Sequence, residues 1–81
     1  MAQSLDYIHT SRGMPWVKVG MHVEVGGKRG VIKGGMGGNL AVVFAGQKHT
    51  SNCHPADDIK YFSDDGSLLA VNGKLVSQAQ G

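Results

Sequence analysis

Cysteine is all but missing from this chain: Cys53 stands alone among 81 residues. A single thiol closes no internal disulfide, which excludes a disulfide-stapled secreted scaffold. Long apolar runs are missing too. No stretch approaches the ~20 residues of a membrane span, and the opening MAQSLDYIHTSR lacks the apolar core of a signal peptide. The expectation is a soluble, cytoplasmic protein with no membrane association. Metal-site spacings of the CxxC or HxxxH kind do not occur, and neither does a Walker-type phosphate loop. Charge of one sign is scarce, with a net of +2. A chain this short makes one domain, with room for a core of about ten side chains and none for a deep catalytic cleft.

Glycine, by contrast, is plentiful, at 13 residues, against an ordinary share of ~7%. No three-residue period runs through them, so collagen is excluded. They fall between alternating apolar residues, which points to turns and bends joining closely spaced strands. The charges are also unevenly spread. Residues 1–54 hold six Lys/Arg and two acids, whereas residues 55–81 hold two and four. The first portion is mildly basic, which permits a polyanionic partner without demanding one.

Residues 1–15 show no clean period and read as an irregular N-terminal arm. From Trp16 the period becomes two. Val19, Met21, Val23 and Val25 alternate with His22 and Glu24, giving a strand at about 21–26. Gly26-Gly27-Lys28-Arg29 supplies a turn. The returning strand, about 29–34, has Gly30, Ile32 and Gly34 on one face and Arg29, Val31 and Lys33 on the other. Gly35 to Gly38 reads as a loop. Asn39 to Ala45 is the best strand, with Leu40, Val42 and Phe44 inward. Lys48 to Cys53 reads as a polar edge strand, and His54 to Asp58 as one helical or 3₁₀ turn. Ile59 to Phe62 is a strand, followed by the three-residue loop Asp64-Asp65-Gly66 and a last strand at about 67–71. That loop length pairs Ile59 with Val71 and Tyr61 with Leu69. Residues 77–81 read as a frayed tail.

Five short strands with a one-turn helix before the fifth resemble an SH3-like small barrel, here spanning residues 16–76 with its C-terminal hairpin. Within it, Val19-Gly20, Val23, Val25, the Gly26-Gly27 turn, Gly30 and Ile32 resemble the KOW motif of ribosomal and transcription-elongation barrels. CAP-Gly barrels open in a similar way. Met21 stands where the KOW pattern has an acid, and the CAP-Gly signature Gly-Lys-Asn-Asp-Gly is absent. Residues 11–66 also resemble small proteins of phages and mobile elements. The shared features are the Thr10–Trp16 lead, the Asn39–Phe44 strand and the Asn-Cys-His-Pro run at Asn52–Pro55. That resemblance implies no particular activity.

The candidate site is basic. Lys28, Arg29, Lys33 and Lys48 fall on or near the first hairpin, and Arg12 and Lys18 extend the set. In a nucleic-acid interface they neutralise phosphates, with Trp16 or Tyr7 stacking on a base. The plainer reading is a solvated charged exterior, with Trp16 closing one end of the barrel. His49, Cys53 and His54, with His9 and His22 in reserve, form the only cluster with ligand chemistry. Sequence neighbours on a strand point apart, so Cys53 reads as a small buried filler and His54 as a turn residue before Pro55. The pairs Asp57-Asp58 and Asp64-Asp65 read as turn formers. The expected function is therefore non-catalytic binding, with no cofactor and no metal. The expected partner is nucleic acid or a nucleoprotein, met through the basic hairpin. The alternative is a protein-interaction or self-assembly module built on Trp16, the Gly-rich loop and a strand edge, for which a homo-oligomer is one form.

Overall fold

The computed structural model describes residues 4–76, and the tail read as frayed lies outside them. Three tight turns organise the sheet. Gly26-Gly27, Gly37-Gly38 and Asn72-Gly73 each place two successive residues at positive φ. That is the backbone of a two-residue hairpin turn, whose twist matches the strands it joins. The first turn links β1 (His22–Val25) to β2 (Lys28–Met36) and the second links β2 to β3 (Asn39–Phe44). A longer loop leads to β4 (Ser51–Cys53), and a turn over 54–58 leads to β5 (Ile59–Phe62). The third turn joins β6 (Leu68–Val71) to β7 (Lys74–Leu75). All pairings are antiparallel, in the order β4-β3-β2-β1-β5-β6-β7.

The all-β reading therefore holds. The hydrogen-bonded ladder differs from the expectation of about five strands in a barrel. It has seven strands, and its end strands β4 and β7 do not pair with each other. Where a loop was expected at 35–38, β2 runs on to Met36, leaving only Gly37-Gly38 as the turn. The expected polar strand from Lys48 shortens to Ser51–Cys53, and residues 54–58 turn without forming a helix.

The N-terminal arm is not irregular. It forms α1 (Asp6–Ser11), and Leu5, Ile8, Met14 and Val17 are all buried. Six residues are too few for a helix to persist in water unaided, so the packing of Ile8 and Leu5 holds it. The sheet makes room for this segment: a Cβ on Gly35 would collide with the Ser4 carbonyl oxygen, and one on Gly38 would lie 3.2 Å from the Tyr7 ring. His9 Nε2 donates to the Val17 carbonyl at 2.5 Å and fastens the helix to the chain that follows.

One sheet face is the core. Across the strands it runs Leu75, Ala70, Tyr61, Val23, Gly30 and Phe44 in register. Ile32, Leu40, Val42 and Ile59 complete it, each fully or almost fully buried. Two bulges bend the sheet. One at Lys33 separates the half of β2 paired with β1 from the half paired only with β3. The other corrects a predicted register. Asp64-Asp65-Gly66 is the three-residue loop expected, closed by the Ser63–Ser67 backbone bond, and Phe62 faces Leu68. Beyond that pair Leu69 is an extra residue, so Tyr61 pairs with Ala70 and Lys60 with Val71. The bulge sends Val71 to the outer face and leaves Leu69 packed against the core.

The same loop carries a pH-sensitive tie. Asp65 accepts bonds from the Ser63 hydroxyl at 2.6 Å, the Ser67 hydroxyl at 2.7 Å and the Ser67 amide at 3.0 Å. These donors favour the carboxylate and hold its pKa at about 2, against an ordinary 3.8. A lowered folded-state pKa stabilises above the unfolded value and loses that contribution as pH falls through the folded one. The hairpin is expected to loosen between pH 3.8 and about 2. The Ser67 amide resonance should follow that change in the parent protein, and Asp65→Asn should remove it.

Candidate functional site

Alternation along each strand puts every second side chain on the outer face. Register then aligns those side chains into rows across the sheet. One row runs Lys74, Val71, Lys60, Glu24, Arg29. It holds three cations and one acid, and Lys33 lies further along β2 on the same side as Arg29. The next row runs Leu68, Phe62, His22, Val31, Val43. Leu68 is exposed, and Phe62, Val31 and Val43 are half-buried. An apolar row thus lies beside a basic one on the face turned away from the core.

The rows are tied together at Arg29. Its guanidinium carbon sits 4.2 Å from the centroid of the Phe62 ring, a cation–π contact that positions a flat cation over the aromatic. Glu24 lies between Arg29 and Lys60 in register, with Lys60 Nζ 3.9 Å from its carboxylate. An open groove of about 440 Å³ crosses β2 and β3, lined by Val31 and Val43 with Arg29 and Lys33 at its margin, and reached at the end of β3 by Phe44 of the core-face row. A second depression, about 260 Å³, lies over Phe62 and shares His22 and Arg29 with the first.

Of the residues singled out from the sequence, this face gathers Arg29 and Lys33. Lys28 sits at the hairpin end opposite Val25, on the strand side of Gly30 and Ile32, so it points away from the other two. Lys48 is exposed in the loop between β3 and β4, next to the groove residue Gln47. Arg12 caps the C-terminal end of α1. Its charge acts on Tyr61, whose side chain is on the core face, so Arg12 is separated from the outer rows. Lys18 is paired with Asp64 at 3.0 Å. Trp16 is half-buried and meets Tyr61 edge to face, with centroids 4.8 Å apart. It packs against the core beside Tyr61, on the side of the sheet opposite Arg29 and Lys33. Tyr7 lies over Gly38. The residues that sequence reading missed are Lys60, Phe62 and Lys74. They come from the less basic portion of the chain; the β1–β5 pairing brings Lys60 and Phe62 near Arg29, and β6 and β7 set Lys74 at the far end of the row.

The Asn52–Pro55 run is structural at every position. Asn52 bonds the Asn39 side chain at 2.9 Å and the Met36 carbonyl at 3.4 Å, tying β4 to the β2–β3 turn. Cys53 is buried in the core, and burial pushes its thiol pKa up, the wrong direction for a nucleophile. His54 Nδ1 accepts the Ala56 amide at 3.1 Å. The Pro55 carbonyl accepts the Tyr61 hydroxyl at 2.5 Å. Burial, chiefly, pushes the Tyr61 phenol well above its ordinary pKa. Among the described residues, no three His, Cys, Asp or Glu side chains converge as metal ligands, and no helix is long and apolar enough to cross a membrane. Comparisons with protein-family models, curated proteins and solved structures find no match.

Proposed function

We propose that this chain is a non-catalytic binding protein that contacts nucleic acid, alone or in a nucleoprotein, through the outer face of its sheet. The observation that carries the reading is the register row of Lys74, Lys60 and Arg29, with Lys33 nearby and Glu24 the single acid among them. Cations spaced along a sheet neutralise successive phosphates and release their counterions. The order β4-β3-β2-β1-β5, with a turn leading into β5, supports an SH3-like reading of those five strands. On that reading β6 and β7 are additions that carry Lys74 and Val71 to the binding face. The likeness to small phage and mobile-element proteins is compatible with such an accessory role.

The alternative, a protein-interaction or self-assembly module, has less behind it. Trp16 packs edge-on against Tyr61, and the Tyr7 ring lies against Gly38 in the Gly-rich stretch. Its strand edges would be those of β4 and β7, the two end strands of the ladder.

Fluorescence anisotropy with a labelled mixed-sequence oligonucleotide tests the proposal. Affinity should fall steeply as salt rises. Lys33→Glu combined with Lys60→Glu should weaken binding about tenfold or more and flatten the salt slope by roughly one unit for each phosphate no longer neutralised. Lys28→Glu, on the other side of the hairpin, should do much less. Binding indifferent to salt and to these reversals overturns the reading and favours a protein partner.

A further inference from the structure

We infer that the nucleic acid this face takes is single-stranded, with unstacked bases laid along the apolar row and phosphates on the basic row. The inference rests on the polyanion reading above and deepens it. A duplex buries its base faces in its own stack and offers mainly phosphates and sugars to a broad surface. Such a partner has no use for the row Leu68, Phe62, His22, Val31, Val43. An unpaired strand does, because every base has an apolar π-face that gains by covering aromatic or aliphatic surface.

The geometry is specific at Arg29. Phe62 lies beneath its guanidinium, and Arg29 is itself exposed. A base placed on the open side of that guanidinium extends the stack to three layers: aromatic, guanidinium, base. Arginine planes and aromatic rings are the surfaces on which unpaired bases settle. On the far side of His22 the groove floor of Val31 and Val43 takes the next base, while Lys33 at the margin meets the phosphate between them. The two depressions share His22 and Arg29 as their common wall. Phe62 and Val43 stand three strand spacings apart in register, a span of about 14 Å that accommodates roughly two or three splayed bases. The Asp64 and Asp65 carboxylates at the Phe62 end are already engaged, by Lys18 and by the Ser63 and Ser67 donors.

The test compares one fluorescein-labelled mixed-sequence 12-mer as a single strand and as a duplex at equal salt. The single strand should bind at least about fivefold tighter, the lower end of what stacking one base contributes. Val43→Thr should remove most of that preference while leaving duplex affinity and the salt slope unchanged, and Phe62→Leu, which also releases Arg29 from its ring, should remove most of it too. Retained duplex binding then serves as the control for folding, and Phe62→Tyr should restore the preference. Equal or tighter duplex binding by the parent protein overturns the inference, as does single-strand affinity untouched by both substitutions. In either case salt-dependent binding survives and the polyanion reading stands. No binding to either form removes both.

Discussion

Tyr61→Ala is expected to leave the protein largely unfolded in mild urea, with a loss of about 3–5 kcal/mol. An 81-residue domain has only roughly 4–12 kcal/mol of stability to lose. Tyr61 is the largest fully buried side chain, at 0% exposure. It sits mid-sheet, between Val23 on β1 and Ala70 on β6. Truncation opens a cavity there, removes the ring against which Trp16 packs edge-on, and strands the Pro55 carbonyl. The milder Tyr61→Phe keeps the ring and loses only the hydroxyl. It should cost about 1–3 kcal/mol, because a buried acceptor is left without its donor. Trp16 is the single tryptophan and touches the altered ring, so urea titrations followed by its fluorescence read both variants directly.

Tyr61 also explains why the outer face is available for binding. With Leu5, Ile8, Met14 and Val17 added to the inner side, that side alone builds the core. The outer side is released from burying large side chains and keeps a mixture of valines, a phenylalanine and cations at the surface. A small sheet covered on one side by its own N-terminal segment can leave the other side to a partner. The burial pattern of β2 records this division, with Gly30 and Ile32 buried and Arg29 and Lys33 exposed.

That much is legible from alternation alone. The faces of β2 as far as Lys33, the inward set Leu40 and Val42, and the Gly26-Gly27 turn all follow from a period of two; the bulge there puts Gly34 opposite Ala41, off the face expected for it. The elements that escape do so for identifiable reasons. Helix α1 is too short to show a period of 3.6, and its signal is only Leu5 and Ile8 meeting a surface that exists after folding. The β6–β7 hairpin is signalled by Asn72-Gly73, the strongest short-range turn pair, and is easily passed over because only two residues of strand follow it. The bulge at Leu69 has no local signature. It arises because packing draws Leu69 toward the core that holds Trp16. The site is half legible for a related reason. Arg29 and Lys33 lie two steps of alternation apart on one strand, whereas Lys60, Phe62 and Lys74 reach them only through pairings distant in sequence.

Gly30→Val is expected to destabilise the fold by about 3 kcal/mol, the upper end of what overpacking a closed core does. Valine ordinarily favours a strand, so sequence preference alone predicts the opposite sign. The difference lies in what faces the position. A Cβ on Gly30 would come within 2.6 Å of Val42 Cγ1 and 3.1 Å of both the Phe44 ring and the Val43 carbonyl oxygen. The strand itself holds these neighbours: Val42, Val43 and Phe44 are consecutive in β3, and Gly30 is paired on both sides, to Val23 and to Phe44. Relief requires β2 and β3 to separate, which breaks the ladder that also positions Arg29, Val31 and Val43. Thermal melts and oligonucleotide binding should therefore fail together in Gly30→Val. Charge reversals at Lys33 and Lys60 should instead weaken binding while leaving the melting temperature nearly unchanged. A Gly30→Val protein that melts like its parent would show that β2 and β3 have slack at this position, and that the close approach of their backbones does not set the shape of the outer face.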